Sequence, residues 1–180
     1  QQADERRREC RQRLHRHLLV GVRPATMLQW ETVETTRAPD GSEFVLARRG
    51  VEWAVRVDQQ LLMSNRRHDS EIALAQQAIG RVVDSGAVLI GGLGFGYTLR
   101  AALECLSAEA KVTIVELVPE LVEWNRKHLR ALNGNPLDDP RCRVVVGDVF
   151  DIIRRSPAAF DVILLDVDNG PRALAQAKNQ

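Results

Sequence analysis

The segment from Ala87 onward constrains the fold of this chain more than any other. Short apolar runs alternate there with helical patterns. Val88-Leu89-Ile90, Lys111 to Leu117, Arg143 to Val146 and Asp161 to Val167 read as four strands. Between them, helices are expected from about Tyr97 to Leu106, from Pro119 to a stop at Asn133-Gly134, and from Asp151 to Arg155. Proline suits a first helical turn, where its missing N–H costs nothing, and Asn-Gly suits a helix end. Nearly continuous apolar strands joined by helices predict a parallel sheet covered on both faces. The expected fold class is therefore α/β, with a doubly wound, mostly parallel Rossmann-like sheet. Four strands make only half of such a sheet, and its C-terminal part is expected to be missing from these 180 residues, or to be completed by a partner.

Two further segments precede this one. Residues 24–66 carry short β patterns, with Val51, Trp53, Val55 and Val57 in strict alternation and turn signals at Pro39-Asp40-Gly41 and Arg49-Gly50. They predict a small antiparallel β domain. Residues 1–23 form an expected basic helical arm, with seven arginines against three acids. Residues 67–180 make up the Rossmann-like part, opened by a helix capped by Asp69 or Ser70 and carrying Ile72, Ala75, Ile79 and Val83 inward.

Composition excludes several classes. The net charge is +1, so the arm's +4 leaves −3 for the remainder, and nucleic-acid binding by the chain as a whole is disfavoured. No apolar run is long enough for a membrane span. Three dispersed cysteines, Cys10, Cys105 and Cys142, form no zinc pattern, and they suggest a reducing, cytoplasmic setting with Cys105 and Cys142 as core thiols.

Ligands of open α/β sheets bind at the carboxyl ends of the strands. Four features gather there. The loop Gly91-Gly92-Leu93-Gly94-Phe95-Gly96 follows the first strand, and its glycines allow sharp turns and close approach to a ligand. Glu116 ends the second strand, where an acid can accept from both hydroxyls of a ribose. Asp148, followed by Val149, comes after the third strand and is placed to accept from an exocyclic amine. Asp166 and Asp168 follow the fourth, in Asp166-Val167-Asp168-Asn169-Gly170-Pro171, where they can take a proton or hold a cation. A metal site would need more ligands than these. NAD also fits a glycine loop with an acid. The spacing here is Gly92-x-Gly94-x-Gly96 with Tyr97 in place of a third fingerprint glycine, which leans towards a nucleoside ligand without a pyrophosphate.

From about Leu61 to Pro171 the chain resembles the spermidine synthase family of aminopropyltransferases, in its bacterial spermidine synthase-like branch of the methyltransferase-type fold. The carrying motifs are the glycine loop, Thr113-Ile114-Val115-Glu116-Leu117, Asp139-Pro140-Arg141 through Gly147-Asp148, and Phe160 to Asp166. The resemblance implies transfer of an aminopropyl group from decarboxylated S-adenosylmethionine to a polyamine amine, with no metal. By position, Gly92, Gly94 and Gly96 would pass under the donor's sulfonium arm. Glu116 would hold the ribose, and Asp148 with Val149 the adenine. Asp166 would be the general base, while Asp168 and Glu71 would contact the amine substrate. A homodimer is expected on the same ground. The sequence also departs from the family: Phe95 stands where the family has an aspartate that meets the donor's amine, and Asp69-Ser70-Glu71 lacks an aromatic. Intact S-adenosylmethionine as donor, and hence methyl transfer, is the alternative reading. A non-catalytic adenosyl-binding or assembly module is another.

Overall fold

The computed structural model describes residues 28–38, 41–79 and 85–167. The expected basic arm, Val83 and Asp168 lie outside these residues. The chain divides into two compact units, one around residues 25–68 and one around residues 69–166.

The first unit is an antiparallel meander of β1 (Glu31–Arg37), β2 (Glu43–Arg49), β3 (Glu52–Val57) and β4 (Gln60–Ser64), in that spatial order. Cross-strand pairs Phe44–Val57 and Leu46–Val55 are at most 2% exposed and form its apolar face. The predicted alternation is right for Val55 and Val57. Val51 departs from it: it follows Gly50 (φ +62°) in the β2–β3 turn and is 79% exposed. The β3–β4 turn has positive φ at both Asp58 and Gln59, the twist that two-residue hairpins favour.

The second unit opens with α1 (Asp69–Ile79), which buries Ala75 and Ile79. It continues through β5 (Ala87–Gly91), α2 (Tyr97–Cys105), β6 (Lys111–Glu116), α3 (Pro119–Lys127), α4 (Arg130–Asn133), a 3-10 turn at Pro136–Asp138, β7 (Cys142–Val146), α5 (Val149–Arg155) and β8 (Val162–Leu165). All pairings are parallel and the order is β7-β6-β5-β8. The chain thus winds outward from β5 to β7, then crosses to the other side of β5. Successive strand residues face opposite ways. Val88, Ile90, Val112 and Ile114 pack with Ala75, Leu99, Ala102 and Val122. Leu89 and Val115 pack with Val149, Ile152 and Ile153. The single helix expected from Pro119 to Asn133 is broken instead. His128 caps α3, Leu129 is fully buried between the helices, and Gly134 (φ +72°) ends α4.

Asp139-Pro140-Arg141 is a latch in this unit. The Arg141 guanidinium forks onto both oxygens of Asp139 and donates to the Leu106 and Ser107 carbonyls, tying the end of α2 to the start of β7. Arg141 holds the Asp139 carboxyl below its ordinary range. Cys142 is a free, half-buried thiol, and burial pushes its pKa up to about 11. Cys105 packs beside the core. Among the described residues no helix is long and apolar enough to cross a membrane.

Candidate functional site

Strand order reverses at β5, and the crevice at such a reversal is where ligands bind in open α/β sheets. The glycine loop leaves β5 at this point. Gly92, Gly94 and Gly96 all have positive φ, at +89°, +51° and +80°, a region that side-chain-bearing residues rarely occupy. The Gly92 N–H donates to the Val115 carbonyl at 2.8 Å and the Gly96 N–H to the Leu93 carbonyl at 2.7 Å. Gly91, the last residue of β5, touches Val149: a Cβ there would sit 2.8 Å from Val149 Cγ2.

Among the described residues the only buried polar side chains are Thr98, Glu116, Asn125 and Asn133, and all four attend to this loop and its helix. Glu116 closes β6. Its Oε2 accepts from the Leu93 N–H at 2.8 Å and its Oε1 from the Val118 N–H at 2.9 Å. The N–H groups of Gly94 and Leu117 also point at this carboxylate. Burial raises the Glu116 pKa above its ordinary value, and the backbone N–H groups of Val118, Leu93, Gly94 and Leu117 work against that rise.

Asp148 caps α5. Its Oδ1 accepts from the Phe150 N–H at 2.8 Å, and the residue is exposed at the end of β7. Val149 has its side chain buried between Leu89 and Val115, so what it presents to a ligand is a first-turn N–H. Asp166 follows β8. Its N–H donates to the Gly91 carbonyl at 2.8 Å, and its Oδ2 accepts from the Thr98 hydroxyl. The sheet thus brings Glu116, Asp148 and Asp166 to the carboxyl ends of three strands, around a glycine loop at the end of the fourth.

Glu71 lies on α1, in the first turn, and accepts from Ser70 Oγ at 2.6 Å. It is close enough to act electrostatically on Tyr97, whose pKa burial pushes up to about 12, with Arg100 lowering it and Glu71 raising it further. Phe95 is 5% exposed and meets Tyr97 edge-on, with ring centroids 6.5 Å apart. The position is therefore an aromatic contact inside the protein. Asp168 lies outside the described residues. Among those described, no three His, Cys, Asp or Glu side chains gather as a metal site.

Three residues escaped the sequence reading. Thr98 sits in the first turn of α2, inside the helix expected from Tyr97 to Leu106, and nothing in the sequence singles it out. Asn125 falls on the inward stripe with Leu121, Val122 and Leu129, and a polar residue at a core position was the available signal. Asn133 was read only as a helix stop.

The comparisons with known proteins bear on the fold and the family. The family model described as the spermine/spermidine synthase domain matches residues 74–179. Polyamine aminopropyltransferase 2 of Pseudomonas aeruginosa is 42% identical over 88 residues, which are 47% of this chain and 25% of that protein. The polyamine aminopropyltransferase of Mycobacterium tuberculosis (H37Rv) is 32% identical over 130 residues, 69% of this chain and 24% of that protein. The chain thus spans about a quarter of the length of these curated relatives. The crystal structure of spermidine synthase from Thermotoga maritima superposes with a TM-score of 0.68 at 19% identity, covering 88% of this chain and 60% of that one. A spermidine synthase in complex with the transition state analogue AdoDATO gives 0.65 at 20% identity, covering 84% and 58%. These two likenesses carry the fold, and the matched domain, covering more than half of the residues, carries the relationship: the chain belongs to the spermine/spermidine synthase family.

Proposed function

We propose that this chain forms the donor-binding part of a polyamine aminopropyltransferase. The observation that carries the reading is the convergence of Glu116, Asp148 and Asp166 on one glycine loop at the point where strand order reverses. The donor is decarboxylated S-adenosylmethionine and the acceptor a polyamine amine. Glu116, at the end of β6, holds the ribose hydroxyls. Asp148 and the Val149 N–H face the adenine. Gly92, Gly94 and Gly96 let the backbone run close beneath the sulfonium arm. Glu71, with Asp168, draws the cationic acceptor.

The chemistry asks one thing of the protein beyond positioning. An ammonium has no lone pair, so the acceptor must lose a proton before its nitrogen attacks the carbon beside sulfur. Asp166 takes that proton. The new C–N bond forms as the C–S bond breaks, and the thioether leaves with the electron pair. The sulfonium is already a good leaving group, so alignment of amine, carbon and sulfur supplies most of the acceleration. The Thr98 hydroxyl and the Gly91 carbonyl fix Asp166 for this task from its side chain and its backbone.

Phe95 supports a second reading. With an aromatic ring buried at this position, no carboxylate there attracts the amine of a decarboxylated donor or repels the carboxylate of an intact one. Methyl transfer from S-adenosylmethionine follows if the intact donor is preferred. Mass spectrometry of reactions containing decarboxylated donor and putrescine or spermidine tests the first reading. The wild-type chain should form the aminopropylated amine. Asp166→Asn should form none while still binding methylthioadenosine. Turnover by Asp166→Asn at the wild-type rate would remove Asp166 as the base.

A further inference from the structure

Asn125 and Asn133 face each other behind the glycine loop, 2% and 1% exposed. Asn125 Nδ2 donates to the Gly94 carbonyl at 2.8 Å and to the Leu121 carbonyl of its own helix at 2.8 Å. Asn133 Nδ2 donates to the Phe95 carbonyl at 2.9 Å and to Asn125 Oδ1 at 2.7 Å, while its Oδ1 accepts from the Asn135 N–H at 2.9 Å. Every side-chain donor and acceptor named here is spent on backbone or on the other amide. Gly96 completes the contact: a Cβ there would lie 3.0 Å from Asn133 Nδ2 and 3.3 Å from Asn125 Oδ1.

We propose that Asn125 and Asn133 are positioning residues that clamp the glycine loop in its ligand-binding conformation. The argument rests on the adenosyl-ligand reading above for what the loop binds, and on the geometry alone for the clamp. Two consecutive carbonyls, Gly94 and Phe95, are drawn to one side by the two amides. In a trans peptide the N–H points opposite to the carbonyl. The clamp therefore turns the Phe95 N–H away from the asparagines. Glu116 takes the Leu93 N–H on the other arm of the loop, so the four-residue segment 93–96 is held by buried side chains from the end of β6, from α3 and from α4. A loop with three positive-φ glycines has many conformations to lose, and a pre-formed one spares the ligand that ordering. The break between α3 and α4 acquires a purpose here. A straight helix would not return Asn133 to face Asn125 eight residues earlier, because eight residues span more than two turns.

The test uses the full chain with methylthioadenosine as the probe. In Asn125→Leu and the milder Asn133→Ser, the amides of Leu93 to Gly96 should exchange with solvent at least about tenfold faster and probe affinity should fall about tenfold, as expected for buried carbonyls left without donors. Ile79→Val, a core change on α1 with a comparable fall in melting temperature, should leave both within about twofold. In the wild-type chain, the side-chain amide protons of Asn125 and Asn133 should exchange far more slowly than those of an exposed asparagine. Wild-type loop exchange in either asparagine variant, equal effects from Ile79→Val, or freely exchanging side-chain amides would each overturn the clamp. Absence of probe binding by the wild-type chain would end the adenosyl reading, while the exchange comparison still decides the clamp.

Discussion

The Thr98 hydroxyl donates to Oδ2 of Asp166, joining the first turn of α2 to the end of β8 across 68 residues of sequence. Thr98 is 1% exposed, so this donor has no water to turn to. The bond fixes one carboxylate oxygen of Asp166, the residue proposed above as the general base. Thr98→Val keeps the shape and removes the donor. It should lower kcat about tenfold with donor KM nearly unchanged, since it acts on the orientation of the base and not on the nucleoside. Steady-state kinetics with the acceptor saturating checks this. A rise in donor KM with kcat intact would contradict it.

Gly91 and Val149 are a second pair. The Cβ of an alanine at 91 would meet Val149 Cγ2 at 2.8 Å, on a β5 backbone that cannot move away from β6 and β8. Gly91→Ala should destabilise the chain by about 1–3 kcal/mol through overpacking. Val149→Ala opens the space and should recover part of that loss, so the two changes should be clearly non-additive in denaturant melts. Additive losses would mean that the contact is not the constraint.

The proposed function gives Asp148 two separable duties. As the cap of α5 it satisfies the Phe150 N–H. Asp148→Ala should cost about 1 kcal/mol of stability together with nucleoside affinity. Asp148→Ser keeps a capping oxygen but loses the carboxylate, so its stability should stay near wild type while nucleoside affinity falls. Calorimetric titration and thermal melts of the two variants separate the duties. Full affinity in Asp148→Ser would remove the carboxylate from adenine recognition.

Glu116 makes stability depend on pH. Its folded-state pKa is raised above the ordinary value of 4.5, chiefly by burial. The native state therefore holds the proton more tightly than the unfolded state. The associated stability is present below about 4.5 and is lost as pH rises through the folded value. Glu116→Gln should remove that slope from denaturant melts taken upward from about pH 4.5. Ribose hydroxyls donate to the charged form, so nucleoside affinity of the wild-type chain should fall as the pH drops below the Glu116 pKa. A slope that persists in Glu116→Gln would assign it to another group.

Much of this was legible in the sequence, for a physical reason. A parallel sheet buried on both faces needs unbroken apolar strands, and the glycines and acids at the strand ends stand out against them. Glu116 and Asp166 could be placed because they are the first polar residues after apolar runs. Val51 was misplaced because strict alternation does not reveal where a turn takes over from a strand, and Gly50 with its positive φ decides that. The α3–α4 break was missed because Leu129 fits the helical stripe whether or not the backbone is continuous. Thr98, Asn125 and Asn133 were hidden because their roles are side chain to backbone or side chain to a distant carboxylate. Such contacts leave little periodic trace, and only Asn125, a polar residue on the inward stripe of α3, carried a signal.

The most direct test of the account is a calorimetric titration of the chain with decarboxylated S-adenosylmethionine, intact S-adenosylmethionine and NAD. The account predicts binding of the adenosyl ligands but not NAD, with the decarboxylated donor bound more tightly than the intact one. Preference for the intact donor would contradict aminopropyl transfer and favour methyl transfer. No binding of either adenosyl ligand to a folded sample would contradict the site itself.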